Sequence, residues 1–207
     1  NKRFGLNRIE EWGANVMFNW GTGDNNVYPT RFRDKFFSRL CHNVVIIFSH
    51  KRDKLTINSF AHLSKELMNK LQIHCSLVAH PSGPKFNYPN IQYGIGYKQH
   101  EKAQLVIYDN LTHSLIYARI LSKRPFLIVD KNFTEINPVS NNASKYIKLL
   151  EEAEILIPFN ILQQKIEFWM KLSPKEAKDK FEKNAQSIFE HVLNQPKLQD
   201  VLGLIDK

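Results

Sequence analysis

QLVIYDNLTHSLIYARILSKRPFLIV, residues Gln104 to Val129, decides how the chain folds. Leu105 to Tyr108 is a short continuous apolar run, and Asp109-Asn110 stops it. From Thr112 to Leu121 the apolar residues Leu115, Ile116, Ala118, Ile120 and Leu121 recur at helical spacing. Pro125 ends that helix, and Phe126 to Val129 is a second apolar run. Two apolar strands joined by a helix predict a βαβ unit with parallel pairing. In such a sheet, ligands gather outside the carboxyl ends of the strands. Asp109, Asn110, Thr112, His113 and Ser114 fall at that end, the last three opening the helix.

The pattern repeats upstream. Asn43 to Phe48, NVVIIF, predicts a buried strand, followed at once by the polar Ser49-His-Lys-Arg-Asp53. Asn58 to Leu71 predicts an amphipathic helix capped by Asn58 or Ser59, with Phe60, Leu63, Leu67, Met68 and Leu71 as its stripe. Ile73 to Ala79 is a further strand, closed by His80-Pro81, and Ile91 to Ile95 a shorter one. Tyr97 to Lys102 is polar, so His100 is expected to face solvent. Nearer the start, Val16 to Phe18 is a strand candidate, Gly21 to Asn26 a loop, and Arg31 to Leu40 a short helix.

Downstream of Val129, an Asn- and Ser-rich stretch runs to Ser144. Helices are predicted over Tyr146 to Ala153 and Ile161 to Leu172, with Ile155-Leu156 as a short edge strand. Ser173-Pro-Lys-Glu176 carries a helix start, with a Ser cap, Pro at the first position and Glu at the third. One final helix is expected from there to about Leu193. The predicted class is α/β: a Rossmann-like, mostly parallel sheet, helices on both faces and a C-terminal helical tail. Residues 1–40 read as a linker with first elements, and 41–207 as one Rossmann-like domain with C-terminal helices.

Composition narrows the function classes. With 207 residues, 43% hydrophobic and 24% charged, the chain suits one globular domain. No apolar run approaches the ~20 residues that cross a bilayer, and no signal-peptide pattern opens it. The first residue is Asn1, not Met, so a longer parent chain is expected. Two cysteines, Cys41 and Cys75, make neither a disulfide framework nor a Cys-based zinc site. A reduced, cytoplasmic setting follows, with peripheral contact to the inner membrane face through basic charge. A net charge of +9 admits anionic partners generally, and the absence of any RNA-binding signature sets nucleic acid aside.

The chemistry expected at the sheet edge is phosphate binding. A helix start offers unsatisfied N–H groups and a partial positive charge, and Thr112 and Ser114 add hydroxyl donors. The same residues also suit a simple helix cap. Ser49, Lys51 and His80 follow other strands directly and join the candidate set with Asp109, Asn110, Thr112, His113 and Ser114. No carboxylate cluster calls for a hard cation, and no cofactor is expected.

In order along the chain come strand-His80-Pro81, NIQYGIG, AQLVIYDNLTHSLIYARILSKRPFLIV and YIKLLEEAEIL. This series resembles the C-terminal half of GT-B-fold transferases of bacterial capsular and surface polysaccharides. The glycerophosphate polymerases of teichoic acid synthesis are more distant likenesses. The matching residues are His80 and Pro81, Ala103 to Asp109, Thr112 and Ser114, Lys123 and Pro125, Leu149 to Leu156, and Trp169. Where that pattern has Ala-Gly-Ile, this chain has Ala153-Glu154-Ile155.

The resemblance implies the donor-nucleotide-binding half of a glycosyltransferase-like enzyme. Such an enzyme moves a sugar or glycerophosphate from a nucleotide-activated donor to a glycan acceptor. Thr112 and Ser114 would then contact phosphate, and His80 the phosphate or leaving group. The N-terminal acceptor half, where a catalytic base is usually expected, has no counterpart here. The alternative is a non-catalytic module that binds nucleotides or polyanions on the same fold.

Overall fold

Six consecutive buried residues, Ala103–Tyr108, form the strand at the heart of the expected βαβ unit. The computed structural model describes residues 41–49, 53–80, 83, 85, 91–93, 100, 102–111, 115–129 and 141–193. The strands are β1 (Cys41–Phe48), β2 (Cys75–Ala79), β3 (Ile91–Tyr93), β4 (Ala103–Tyr108) and β5 (Phe126–Ile128). The helices are α1 (Lys54–Leu71), α2 (Leu115–Leu121), α3 (Asn141–Glu152), α4 (Leu162–Lys171), α5 (Pro174–Asn184) and α6 (Gln186–Leu193). All pairings are parallel, and the sheet order is β3-β2-β1-β4-β5. That order is the one found in Rossmann folds, and the parallel α/β class is the one the sequence predicted.

Parallel strands covered on both faces must be apolar throughout, which is why β1 and β4 read as unbroken runs. Register fixes which residues share a face. Ile46 lies beside Ile107, and Val106 beside Phe126. Phe48 has the parity of Ile46 and Ile107, and Phe126 that of Val106, so the two rings lie on opposite faces. Phe48 meets Phe60 of α1 edge-on at 5.4 Å. Phe126 meets Phe181 of α5 at 5.4 Å, and Phe181 in turn meets Phe189 of α6 at 5.9 Å. Each such pair adds about 1 kcal/mol beyond the area it buries.

Several expectations on element ends are corrected. The first helix begins at Lys54, not Asn58, because Asp53 caps it: Thr56 N–H donates to Asp53 Oδ1 at 2.7 Å. That bond, the largest cause, holds the Asp53 carboxyl below its ordinary range. Periodicity missed the turn because Lys54, Leu55 and Thr56 lie before the first buried position, Ile57. The helix expected from Tyr146 begins at Asn141. Ile155-Leu156 contributes one parallel bridge, Ile128 to Leu156, in place of a strand. The last predicted helix is two: the buried Ala185 leaves helical geometry between α5 and α6. At its start the capping box of Ser173 and Glu176 is complete. The elements expected at Val16 to Phe18, Gly21 to Asn26 and Arg31 to Leu40 lie outside the described residues.

Glu154 explains the glycine of the Ala-Gly-Ile pattern. After α3 the chain turns back with Glu154 at φ 55°. Glu154 N–H donates to Glu151 O and Ile155 N–H to Leu150 O, the paired bonds of a left-handed helix end. A Cβ in this conformation costs roughly 1 kcal/mol. Glu154→Gly removes that cost and gives up only an exposed ion pair with Lys165. The expected result is a stability gain of about 0.5 kcal/mol in urea unfolding. A loss of 1 kcal/mol would mean that the ion pair outweighs the backbone strain.

Candidate functional site

The carboxyl edge is built by register. Ala79 ends β2 beside Phe48, and Tyr108 ends β4 beside Ile47. Ser49, His80 and Asp109 each follow the last residue of a strand, so three chain turns leave the sheet side by side. Between β1 and β4 the topology reverses: β1 connects through α1 to β2 on one side, and β4 through α2 to β5 on the other. This reversal is a topological switch point, and doubly wound sheets bind their ligands outside the strand ends at such points.

Ser49 and Asp109 stand on the two sides of that reversal and are joined. Ser49 N–H donates to both Asp109 oxygens, at 2.8 Å to Oδ1 and 2.9 Å to Oδ2. Ser49 Oγ–H donates to Oδ2 at 3.1 Å. Asp109 N–H donates in turn to Ile47 O at 3.2 Å, extending the ladder by one step. Ser49 is buried, and Asp109 and Asn110 are half-buried. His80 is exposed, and its carbonyl accepts the Gly83 N–H at 3.2 Å. Ser49, His80, Asp109 and Asn110 are therefore brought to one edge. Lys51, Thr112, His113 and Ser114 lie outside the described residues, as do Arg52 and Pro81.

Toward the opposite, amino edge four polar residues are buried that the sequence did not single out as such: His100, Gln104, Arg119 and Arg124. Arg119 is fully buried on α2. Its Nη2–H groups donate to Ala103 O at 2.8 Å and Pro125 O at 2.9 Å, and Nη1–H to His100 O at 3.3 Å. Burial pushes the guanidinium down to about 9, so it stays charged at neutral pH. Gln104 is also fully buried, and its Nε2 donates at 2.9 Å to both Trp169 O and Leu172 O. These carbonyls end α4, where helical partners run out. His100, expected in solvent, is fully buried with Nε2 2.6 Å from the Tyr108 hydroxyl. One signal was legible: Arg119 shares the stripe of Leu115, Ile116 and Ile120, where a charged residue has to be bonded.

Among the described residues no group of three or more His, Cys, Asp or Glu side chains suits a metal ion. Among them no helix is long and apolar enough to cross a membrane. Burial pushes the Cys75 thiol up to about 12, which leaves it a packing residue without thiolate character at neutral pH.

No family model matches the chain, and no curated protein matches it. Among solved structures, the chain is similar to the spinosyn forosaminyltransferase SpnP. The TM-score is 0.46 and the identity 15%, over 87% of this chain and 46% of that one. It is also similar to the glycotransferase of kitacinnamycin, with a TM-score of 0.46 and 11% identity over 92% of this chain and 47% of the other. The chain thus spans about half the length of both solved structures.

Proposed function

We propose that this chain is the donor-nucleotide-binding half of a glycosyltransferase-like enzyme of surface carbohydrate biosynthesis. What supports the reading is the switch point where sheet order reverses between β1 and β4, with Ser49, His80 and Asp109 at the ends of neighbouring strands. The ordered series of motifs from His80 to Trp169 adds the chemical class. In this proposal Thr112 and Ser114 hold the donor's diphosphate with the first amides of the helix they open. Lys51, His113 and His80 offset the negative charge that develops on the leaving nucleotide. Asn110 and the Ser49–Asp109 pair shape the mouth. The transferred group is a sugar or glycerophosphate, the acceptor is a growing glycan, and the basic surface rests against the inner face of the membrane.

Thermal unfolding with nucleotides tests this. A nucleoside diphosphate at about 100 times its Kd stabilises by roughly 2.7 kcal/mol. For a domain of this size that raises Tm by about 5–10 °C. The rise is expected to persist in high salt and to be lost in the double variant Thr112→Ala, Ser114→Ala, which itself unfolds at an unchanged temperature. Stabilisation by any polyanion, vanishing with salt, would replace the reading with a non-catalytic polyanion-binding module.

A further inference from the structure

We infer that Asp109 is a specificity-determining residue that denies the β1 mouth to phosphate and turns an uncharged, hydroxyl-bearing part of the ligand toward it. The inference rests on a nucleotide binding at this edge, as proposed above. In dinucleotide-binding Rossmann folds the pyrophosphate sits on amides of the loop after the first strand, approached closely through glycines. Here the loop after β1 is Ser49-His-Lys-Arg-Asp53, without glycine. The first N–H of that loop, on Ser49, is already given to both oxygens of Asp109, and the Ser49 hydroxyl to one of them.

A phosphate oxygen that replaced this bond would face a carboxylate a few ångströms away, in a partly buried setting where like charges repel strongly. Phosphate is therefore excluded at the point where the fold ordinarily admits it. The residue after β2 makes the same distinction. Dinucleotide folds place an acid there for the ribose hydroxyls, and this chain has His80. The arrangement is therefore different: the acid follows β4 and is bonded to the end of β1, and the side chain suited to phosphate follows β2. A ligand carrying a diphosphate has to seat that group away from Ser49. What approaches Ser49 and Asp109 is the ribose or the transferred group, whose hydroxyls a carboxylate tolerates.

Inorganic pyrophosphate is the probe, followed through the Ser49 amide resonance and by calorimetry. In the unchanged chain the Ser49 amide is expected to stay in place through the titration. Asp109→Ala releases that amide and removes the charge, so pyrophosphate binds at least tenfold tighter and the Ser49 resonance moves with it. Asp109→Asn keeps an acceptor for Ser49 and removes only the charge, and gains a smaller, severalfold affinity. This second variant keeps the test decisive if Asp109→Ala does not fold. A Ser49 amide that moves in the unchanged chain, or no gain in either variant, overturns the inference. The outcome separates from that of the proposed function. Nucleoside diphosphate binding with a moving Ser49 amide would sink only the inference. A pyrophosphate gain in the variants of a chain that binds no nucleotide would sink the transferase reading and the orienting of a ligand by Asp109, and leave standing only the exclusion of phosphate at Ser49.

Discussion

Arg119→Leu is expected to cost about 4 kcal/mol of folding stability, measured by urea unfolding. The carbonyls of His100, Ala103 and Pro125 all accept from this one guanidinium, and the side chain is fully buried. A carbonyl left without a donor costs ~1–3 kcal/mol, and Pro125 O, which also accepts Val106 N–H at 3.3 Å, is the least affected of the three. Replacing a buried charge by an apolar residue is harmless only when its partners are replaced too, and backbone carbonyls cannot be. Set against a total of roughly 5–15 kcal/mol, the loss leaves much of the population unfolded at 37 °C. Arg119→Lys is not a rescue. A single ammonium cannot reach three carbonyls that a planar fork spans, so about half the loss remains. If Arg119→Leu stays within 1 kcal/mol of the unchanged chain, the three carbonyls find other donors and the guanidinium is no keystone.

Gln104→Leu carries the second large effect, about 2 kcal/mol. The substitution keeps the volume and the apolar surroundings but removes the amide that serves Trp169 O and Leu172 O. Both carbonyls belong to the end of α4, which loses its connection to β4. Gln104→Glu is expected to be worse, because it sets carboxylate oxygens against two carbonyl oxygens in a buried place. Hydrogen exchange distinguishes the cause. With Gln104→Leu, protection falls first in the last turn of α4 and at Ser173, while β1 and β4 keep theirs. Uniform loss across the sheet would point to core packing instead.

Gln104 and His100 were passed over or misread for one reason. Sequence patterning sorts residues by polarity, and a polar residue inside an apolar element looks like an interruption. Gln104 precedes the run Leu105 to Tyr108 and read as its boundary, yet it lies within the strand and is as buried as its neighbours. His100 read as solvent-facing because its sequence neighbours are polar, and it packs inside because the Tyr108 hydroxyl stands there to pair with it. The partners of Gln104 lie 65 and 68 residues away along the chain, beyond any local window.

What the sequence determined by itself is the parallel sheet. Apolar runs at Asn43 to Phe48 and Leu105 to Tyr108, each followed by polar residues and a helix, leave few other folds open, since strands buried on both faces have to be apolar throughout. The local chemistry at Ser173 to Glu176 also reads directly, because a capping box spans only four residues. Tertiary structure alone decided the order β3-β2-β1-β4-β5, which sets the end of β1 beside the end of β4. It alone joined Ser49 to Asp109 across 60 residues, bonding the ends of two strands to each other. Strand order is a choice among crossovers of similar local sequence. It is settled by which faces bury one another, a property of the whole chain.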